Sequence, residues 1–155
     1  MTSELDSSDN SLSLPPIDQV AYMVADRDEA VARLEPLFGP FETMDVDNPG
    51  SIYKGDEHDV SLRLAFGRSG DLEIELIEHV SGLSPHKDWY DEHGESIFHV
   101  RFKVDDVDAY LAWFEDEGNE TIWYNASLAE HGIKYAYSQA PPAKGGHIFE
   151  FVQGF

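Results

Sequence analysis

The chain of 155 residues has no cysteine, which excludes disulfides and thiolate metal sites and fits a cytoplasmic location. Positive charge is scarce. Ten Lys and Arg stand against 31 Asp and Glu, a formal net charge of −21. Such a chain repels phosphate backbones, so nucleic acid is excluded as a partner. An acidic, well-solvated surface of the kind halophilic proteins carry accounts for most of that charge. It also faces an anionic ligand with a barrier unless the site supplies local positive charge, which gives a bound cation or an inward-facing Arg particular weight. No apolar run approaches the roughly 20 residues of a membrane span. Gly-rich phosphate loops, the zincin helix motif and the nucleophile elbow are all missing. Residues 1–14 lack the basic start and apolar centre of a secretion signal and read as a disordered lead-in. Residues 15–155 are of a length for one domain with its own core.

What is present begins with Ser96-Ile97-Phe98-His99-Val100-Arg101-Phe102-Lys103-Val104. Apolar and polar residues alternate, so His99, Arg101 and Lys103 face one way and Val100, Phe102 and Val104 the other. Asp105-Asp106 leads into an amphipathic helix with Val107, Tyr110, Leu111 and Phe114 on one face. Eighty residues earlier, Ile17 to Asp26 runs in the same phase and also precedes a helix, 28–38. Aligning Ile17 with Ile97 puts Val20 on Val100, Val24 on Val104, Asp26 on Asp106 and Gln19 on His99. A second pair closes each half: Ile74-Glu75-Leu76-Ile77-Glu78 matches Phe149-Glu150-Phe151-Val152-Gln153, with Glu75 on Glu150. The chain reads as one module present twice, over about 16–80 and 96–153.

Between these anchors, Gly39-Pro40 ends the first helix, 41–46 reads as a strand and Asp47-Asn48-Pro49-Gly50 as a turn. Strands follow over 60–66 and 72–78, with 67–70 as their turn. Ser84-Pro85 starts a short linker helix, Ser capping and Pro in the first turn. The second module adds a helix over 106–117 and strands over 121–125, 133–138 and 147–153. Each half is a β-α-β-β-β unit. The expected fold is α+β, an open, barrel-like, eight-stranded mixed sheet with outer helices.

If the like faces of the duplicated strands meet, Gln19, Glu75, His99 and Glu150 converge on one polar centre. Imidazole nitrogen with carboxylate and amide oxygens suits a borderline-to-hard divalent ion: Zn, Co, Ni, Mn or Fe. Any one of the four alone is an ordinary strand residue; as a repeat-related set they point to a site. His58, His79, His86, His93, His131 and His147 fall in or beside loops and strand ends, where surface or capping roles are the default. Arg101 and Lys103 share the His99 face and are candidates to bind a substrate carboxylate or thioester-side group, a surface ion pair being the alternative. Trp89, Tyr90 and Trp123 are candidates for a pocket lining or for core and dimer contacts.

From about residue 16 to 153 the chain resembles the vicinal oxygen chelate superfamily, which includes glyoxalase I, methylmalonyl-CoA epimerase, extradiol dioxygenases and bleomycin-resistance proteins. The pattern is most like the epimerases: the opening strand 17–26, Glu75-Leu76-Ile77, the Ser84-Pro85 linker, His99 to Asp106, Glu130-His131-Gly132 and Phe149-Glu150-Phe151. The resemblance implies one divalent metal on Gln19, Glu75, His99 and Glu150. Epimerases usually place His at the first position, where this chain has Gln19; the Gln, Glu, His, Glu set resembles that of some glyoxalase I enzymes. Extradiol oxygen chemistry needs two His and one carboxylate, so Gln19 disfavours it. By the same resemblance Glu150 is the expected base and Glu75 its counterpart on the opposite face, with Glu57 matching the region that supplies an epimerase base. The expected activity is metal-dependent proton transfer next to a carbonyl, by an isomerase, epimerase or lyase acting on a small-molecule carbonyl or thioester. The alternatives are a glyoxalase I-like lactoylglutathione lyase and a metal-free ligand-binding protein of the bleomycin-resistance type. A homodimer is expected from the likeness alone.

Overall fold

The computed structural model describes residues 12–155, so most of the lead-in expected over 1–14 lies outside the described residues. The first half contains β1 (Gln19–Met23), α1 (Arg27–Phe38), β2 (Glu42–Tyr53), β3 (Asp56–Ser69) and β4 (Leu72–Ser81). After the linker helix α2 (Pro85–His93) come β5 (Ser96–Lys103), α3 (Val107–Asp116), β6 (Glu120–Asn125), β7 (Lys134–Gln139) and β8 (Ile148–Gln153). This is the expected α+β pair of β-α-β-β-β units. Both long helices start as their sequences direct. The Asp26 carboxylate accepts from the Glu29 amide and the Asp106 carboxylate from the Ala109 amide, satisfying donors that a helix start leaves open. Ser84 caps α2 in the same way, with Pro85 in its first turn.

The strands follow the order β1-β4-β3-β2-β6-β7-β8-β5, the expected barrel-like eight-stranded mixed sheet, with the circuit closed rather than open. β1 pairs with β4, and β5 with β8, in parallel; all other neighbours are antiparallel. Closure depends on β2 outrunning the expected strand. Asp47-Asn48-Pro49-Gly50 is not a turn that ends it: β2 continues with a register shift between Asn48 and Ser51, and its end pairs Ile52 with Tyr124 and Tyr53 with Trp123. Polar groups buried at the bend hold it. Asn48 donates to the Val60 carbonyl and accepts from the Tyr135 hydroxyl, while Asn125 donates to Ser51 Oγ and the Pro49 carbonyl. β3 likewise runs on through 67–69, and the tight turn is made by Gly70 at φ 61°. The β2–β3 hairpin turns on Lys54 and Gly55, both at positive φ, the backbone a two-residue hairpin favours.

Alternation sends one face of each strand inward and the other under a helix. Ile74 and Leu76 of β4 join Val24, Ala30 and Ala65 beneath α1. Phe102 and Phe151 join Val107, Leu111 and Phe114 beneath α3, burial worth about 1.5–3 kcal/mol for each large side chain. The reverse faces fill one end of the barrel with Ala21, Met23, Ile77, Phe98, Trp123 and Tyr137. Phe98 breaks the alternation because the β1–β5 register shifts between Ala21 and Tyr22, so Phe98 and His99 are both buried.

Candidate metal centre

Ala21 of β1 lies between the strands that carry Glu75 and His99. It pairs with His99 on one side and Glu75 on the other, which sets those side chains on adjacent inward rows. β8 brings Glu150 alongside, in register with Arg101. His99 Nε2 lies 3.2 Å from Glu150 Oε1 and 3.5 Å from Glu75 Oε1. One ligand atom from each of Glu75, His99 and Glu150 falls within 4.8 Å of the others, and all three residues are buried. Gln19, one inward position along β1 from Ala21, is 1% exposed and donates its amide Nε2 to Glu73 Oε1 at 2.7 Å.

These groups suit a divalent cation better than they suit one another. Gln19 Oε1 and both ring nitrogens of His99 are buried without a hydrogen-bond partner. Buried polar atoms ordinarily find partners, and leaving one unsatisfied costs about 1–3 kcal/mol. The imidazole nitrogen and two carboxylates that come together are donors suited to the borderline-to-hard divalent ions, with Gln19 on the same inward row of β1 as Ala21. Burial pushes the Glu150 carboxyl up to about 7; His99 pulls it down, the adjacent Glu75 raises it, and Arg101 lowers it again.

The site opens into a cavity of about 490 Å3 reached by Glu75, Glu150, Arg101, Tyr137 and Trp123. Arg101 lies at its wall as a half-buried cation whose Nε and Nη2 each donate to Asp18 at 3.0 Å, with Glu73 Oε1 at 3.4 Å from Nη2. Lys103 stands further out, 3.7 Å from Asp18. Glu57 is not brought to this group: it is exposed at the hairpin end of β3, opposite Ile52, and outside the cavity lining.

Two features of the site were not read from the sequence. Asp18 and Glu73, which engage Arg101, carry no motif that separates them from other surface acids. His86, assigned to the surface or a cap, is fully buried. The first turn of α2 drives it into the barrel end, where Nδ1 meets Ser84 Oγ at 3.1 Å and Nε2 the Tyr137 hydroxyl at 2.8 Å. Burial holds its pKa well below the usual imidazole value, so it stays neutral. The helical Pro85-His86 step after a Ser cap was the available signal, since a first-turn residue beside a sheet often faces it. Trp123 is buried and lines the cavity, while Trp89 and Tyr90 pack from α2 against the barrel-end core.

The structure is thus a closed mixed barrel of two β-α-β-β-β units with two glutamates and a histidine buried together inside it. Residues 18–137 match the family described as the Glyoxalase/Bleomycin resistance protein/Dioxygenase superfamily. The chain belongs to that superfamily. No curated protein matches it in sequence. Among solved structures it is similar to a hypothetical protein from Bacillus halodurans C-125, at 19% identity and TM-score 0.66 over 90% of this chain and 94% of that one. It is also similar to a methylmalonyl-CoA epimerase variant from Streptomyces coelicolor in complex with 2-nitronate-propionyl-CoA, at 22% identity and TM-score 0.65 over 92% and 99% of the two chains. A methylmalonyl-CoA epimerase from Mycobacterium tuberculosis follows at 19% identity and TM-score 0.62, over 94% and 92%. Among the described residues no helix is long and apolar enough to cross a membrane.

Proposed function

We propose that this protein is a metal-dependent isomerase, epimerase or lyase that moves a proton at the carbon next to a carbonyl, in a small carbonyl compound or a thioester. The observation that carries the reading is His99 Nε2 set 3.2 and 3.5 Å from two buried carboxylates without a hydrogen bond to either. Gln19, Glu75, His99 and Glu150 are the proposed ligands, and a divalent ion held there supplies Lewis-acid polarisation of a carbonyl oxygen.

The protein's own groups account for the proton. Glu150 is the proposed base because its carboxylate stands buried beside His99 and Glu75 and reaches the cavity. Glu75 reaches the same point from β4 and is its counterpart on the opposite face of the substrate. Arg101 stands beside Glu150 in register and contributes positive charge where negative charge develops on the substrate. Tyr137 and Trp123 close the inner wall against water. Glu57, exposed at the hairpin end, is a substrate-side base only if the hairpin moves, and Glu150 is the stronger assignment.

A metal-free ligand-binding protein has the same cavity but leaves the buried His99 Nε2, set between two carboxylates, without a partner. Metal analysis of protein purified without chelator, with solvent-deuterium exchange at the α-carbon of candidate carbonyl compounds, tests the proposal. Exchange that persists undiminished after metal removal overturns it. A homodimer is proposed alongside, and a monomer mass by light scattering would remove it.

A further inference from the structure

The ten lysines and arginines all lie among the described residues, so the positive charge of the whole molecule can be followed. Eight of the ten have a carboxylate oxygen within 3.7 Å: Arg27, Arg33, Lys54, Arg63, Lys87, Arg101, Lys103 and Lys134. Arg68 is bonded to the carbonyls of Gly70 and Asp71, and Lys144, in the turn before β8, lies outside the cavity lining. At the cavity the balance is negative. Asp47, Glu73, Glu75 and Glu150 line it, against Arg101 and Lys103. Both forks of Arg101 are occupied by Asp18 and Glu73. Lys103 is the looser of the two, with its side chain 54% exposed and its ammonium 3.7 Å from Asp18. The opposite wall is apolar, with Leu62, Leu64 and Phe66 of β3 facing the cavity.

A ligand enters this space through the field of a protein with net charge −21. A coenzyme A ester carries a 3′-phosphate and a pyrophosphate, and such groups are held by several cations or by helix N-termini. One loosely paired lysine does not offset them. We infer that the cavity takes a carbonyl compound with an apolar body and at most one anionic group, the anion set on Lys103, and that it excludes coenzyme A esters. The inference rests on the proton-transfer reading for the carbonyl and on charge alone for the rest. The apolar body lies on Leu62, Leu64 and Phe66, which directs the single anion outward along the Arg101–Lys103 side, away from Glu75 and Glu150.

The test uses the intact protein and two probes of stated charge. The first is 8-anilinonaphthalene-1-sulfonate, an apolar monoanion; the second is propionyl-CoA. Titrations are made at about 0.15 M and about 2 M KCl, where the screening length falls from about 8 Å to below 3 Å. Circular dichroism confirms the fold at each salt. The naphthalene probe should bind at one site and brighten. Lys103→Glu should weaken it about tenfold at the lower salt and much less at the higher, as expected for one charge at close range. Leu64→Asp should weaken it at both salts, which places the probe in the cavity. Propionyl-CoA at about 1 mM should displace none of it at the lower salt, and any displacement should appear only at the higher, where the charge barrier is screened. Displacement by propionyl-CoA at the lower salt overturns the inference, and so does a probe affinity that Lys103→Glu leaves unchanged there. Neither result bears on the proton-transfer reading, which fails separately if metal-loaded protein exchanges no α-proton of any carbonyl compound.

Discussion

The two halves of the barrel share one plan and differ where the chemistry is set. β1 and β5 run antiparallel past each other so that Gln19 pairs with Arg101 and Ala21 with His99. The pattern is that of a near-twofold axis through Val20 and Val100, which pair with each other. In the first half Ala21 pairs with Glu75; in the second, at the equivalent place, Arg101 pairs with Glu150. One glutamate has a methyl beside it and the other a guanidinium. The neutral Gln19 likewise stands where the other half has His99. The long strands of the first half, 12 and 14 residues in β2 and β3, build the apolar wall, while the 6-residue β6 and β7 carry Trp123 and Tyr137. The repeat gives paired inward positions, and their different neighbours make the pair unequal.

The largest expected effect comes from breaking that inequality at the glutamates. Glu150→Gln should lower α-proton exchange by about 10²–10⁴, the usual contribution of a positioned base, while retaining most of the bound metal. Glu75→Gln should lower it less if Glu150 is the principal base. Equal losses would make the two halves chemically equivalent and count against the assignment. Next in size is the core: Phe151→Ala beneath α3 should cost about 3–5 kcal/mol and Leu76→Ala beneath α1 about 2–5 in urea unfolding. Both side chains are fully buried, so the comparison asks which half collapses better around its cavity.

A pH series sharpens the comparison further. In the metal-free protein the folded Glu150 carboxyl, at about 7, binds its proton more tightly than the ordinary value of 4.5 allows. The folded state then holds more protons than the unfolded between those values, so this group's contribution to stability falls as pH rises from about 4.5 to about 7. Glu150→Gln should flatten that part of the stability profile, and Glu75→Gln should relieve it by removing a neighbouring negative charge. A mutant profile parallel to the parent's would show that Glu150 is not the group responsible. Smaller effects follow from the matched helix starts. Asp26→Ala and Asp106→Ala should each cost about 1 kcal/mol, a symmetrical pair. The smallest change is Gln19→His, which makes the first half resemble the second. It should hold the metal at least as well and leave exchange within a few-fold, as measured by metal content and by the same exchange assay.

Much of the fold was legible because its signals are local. Alternation marks β4 and β5, Asp26 and Asp106 mark the starts of α1 and α3, and the offset of eighty aligns the two halves. The same alternation places Gln19, Glu75, His99 and Glu150 on inward faces, and three of these the barrel brings within 4.8 Å. Other features have no local sign. Asp47-Asn48-Pro49-Gly50 looks like a turn, and the buried partners of Asn48 and Ser51, which are Val60, Tyr135 and Asn125, lie far away in sequence. His86 looks like any first-turn histidine until the barrel end closes over it.

The sequence by itself determined the modules, their phase and the residue types on each strand face, since strand geometry converts a two-residue period into two faces without reference to the rest of the chain. Tertiary structure decided the closure of the sheet through Ile52–Tyr53 on Trp123–Tyr124, and with it which acids became buried. Glu57 and Glu150 are the same amino acid on strands of the same barrel. One remains in solvent at a hairpin end, and the other is raised to about 7 by burial, because desolvation depends on what packs around a carboxyl and not on its neighbours in sequence.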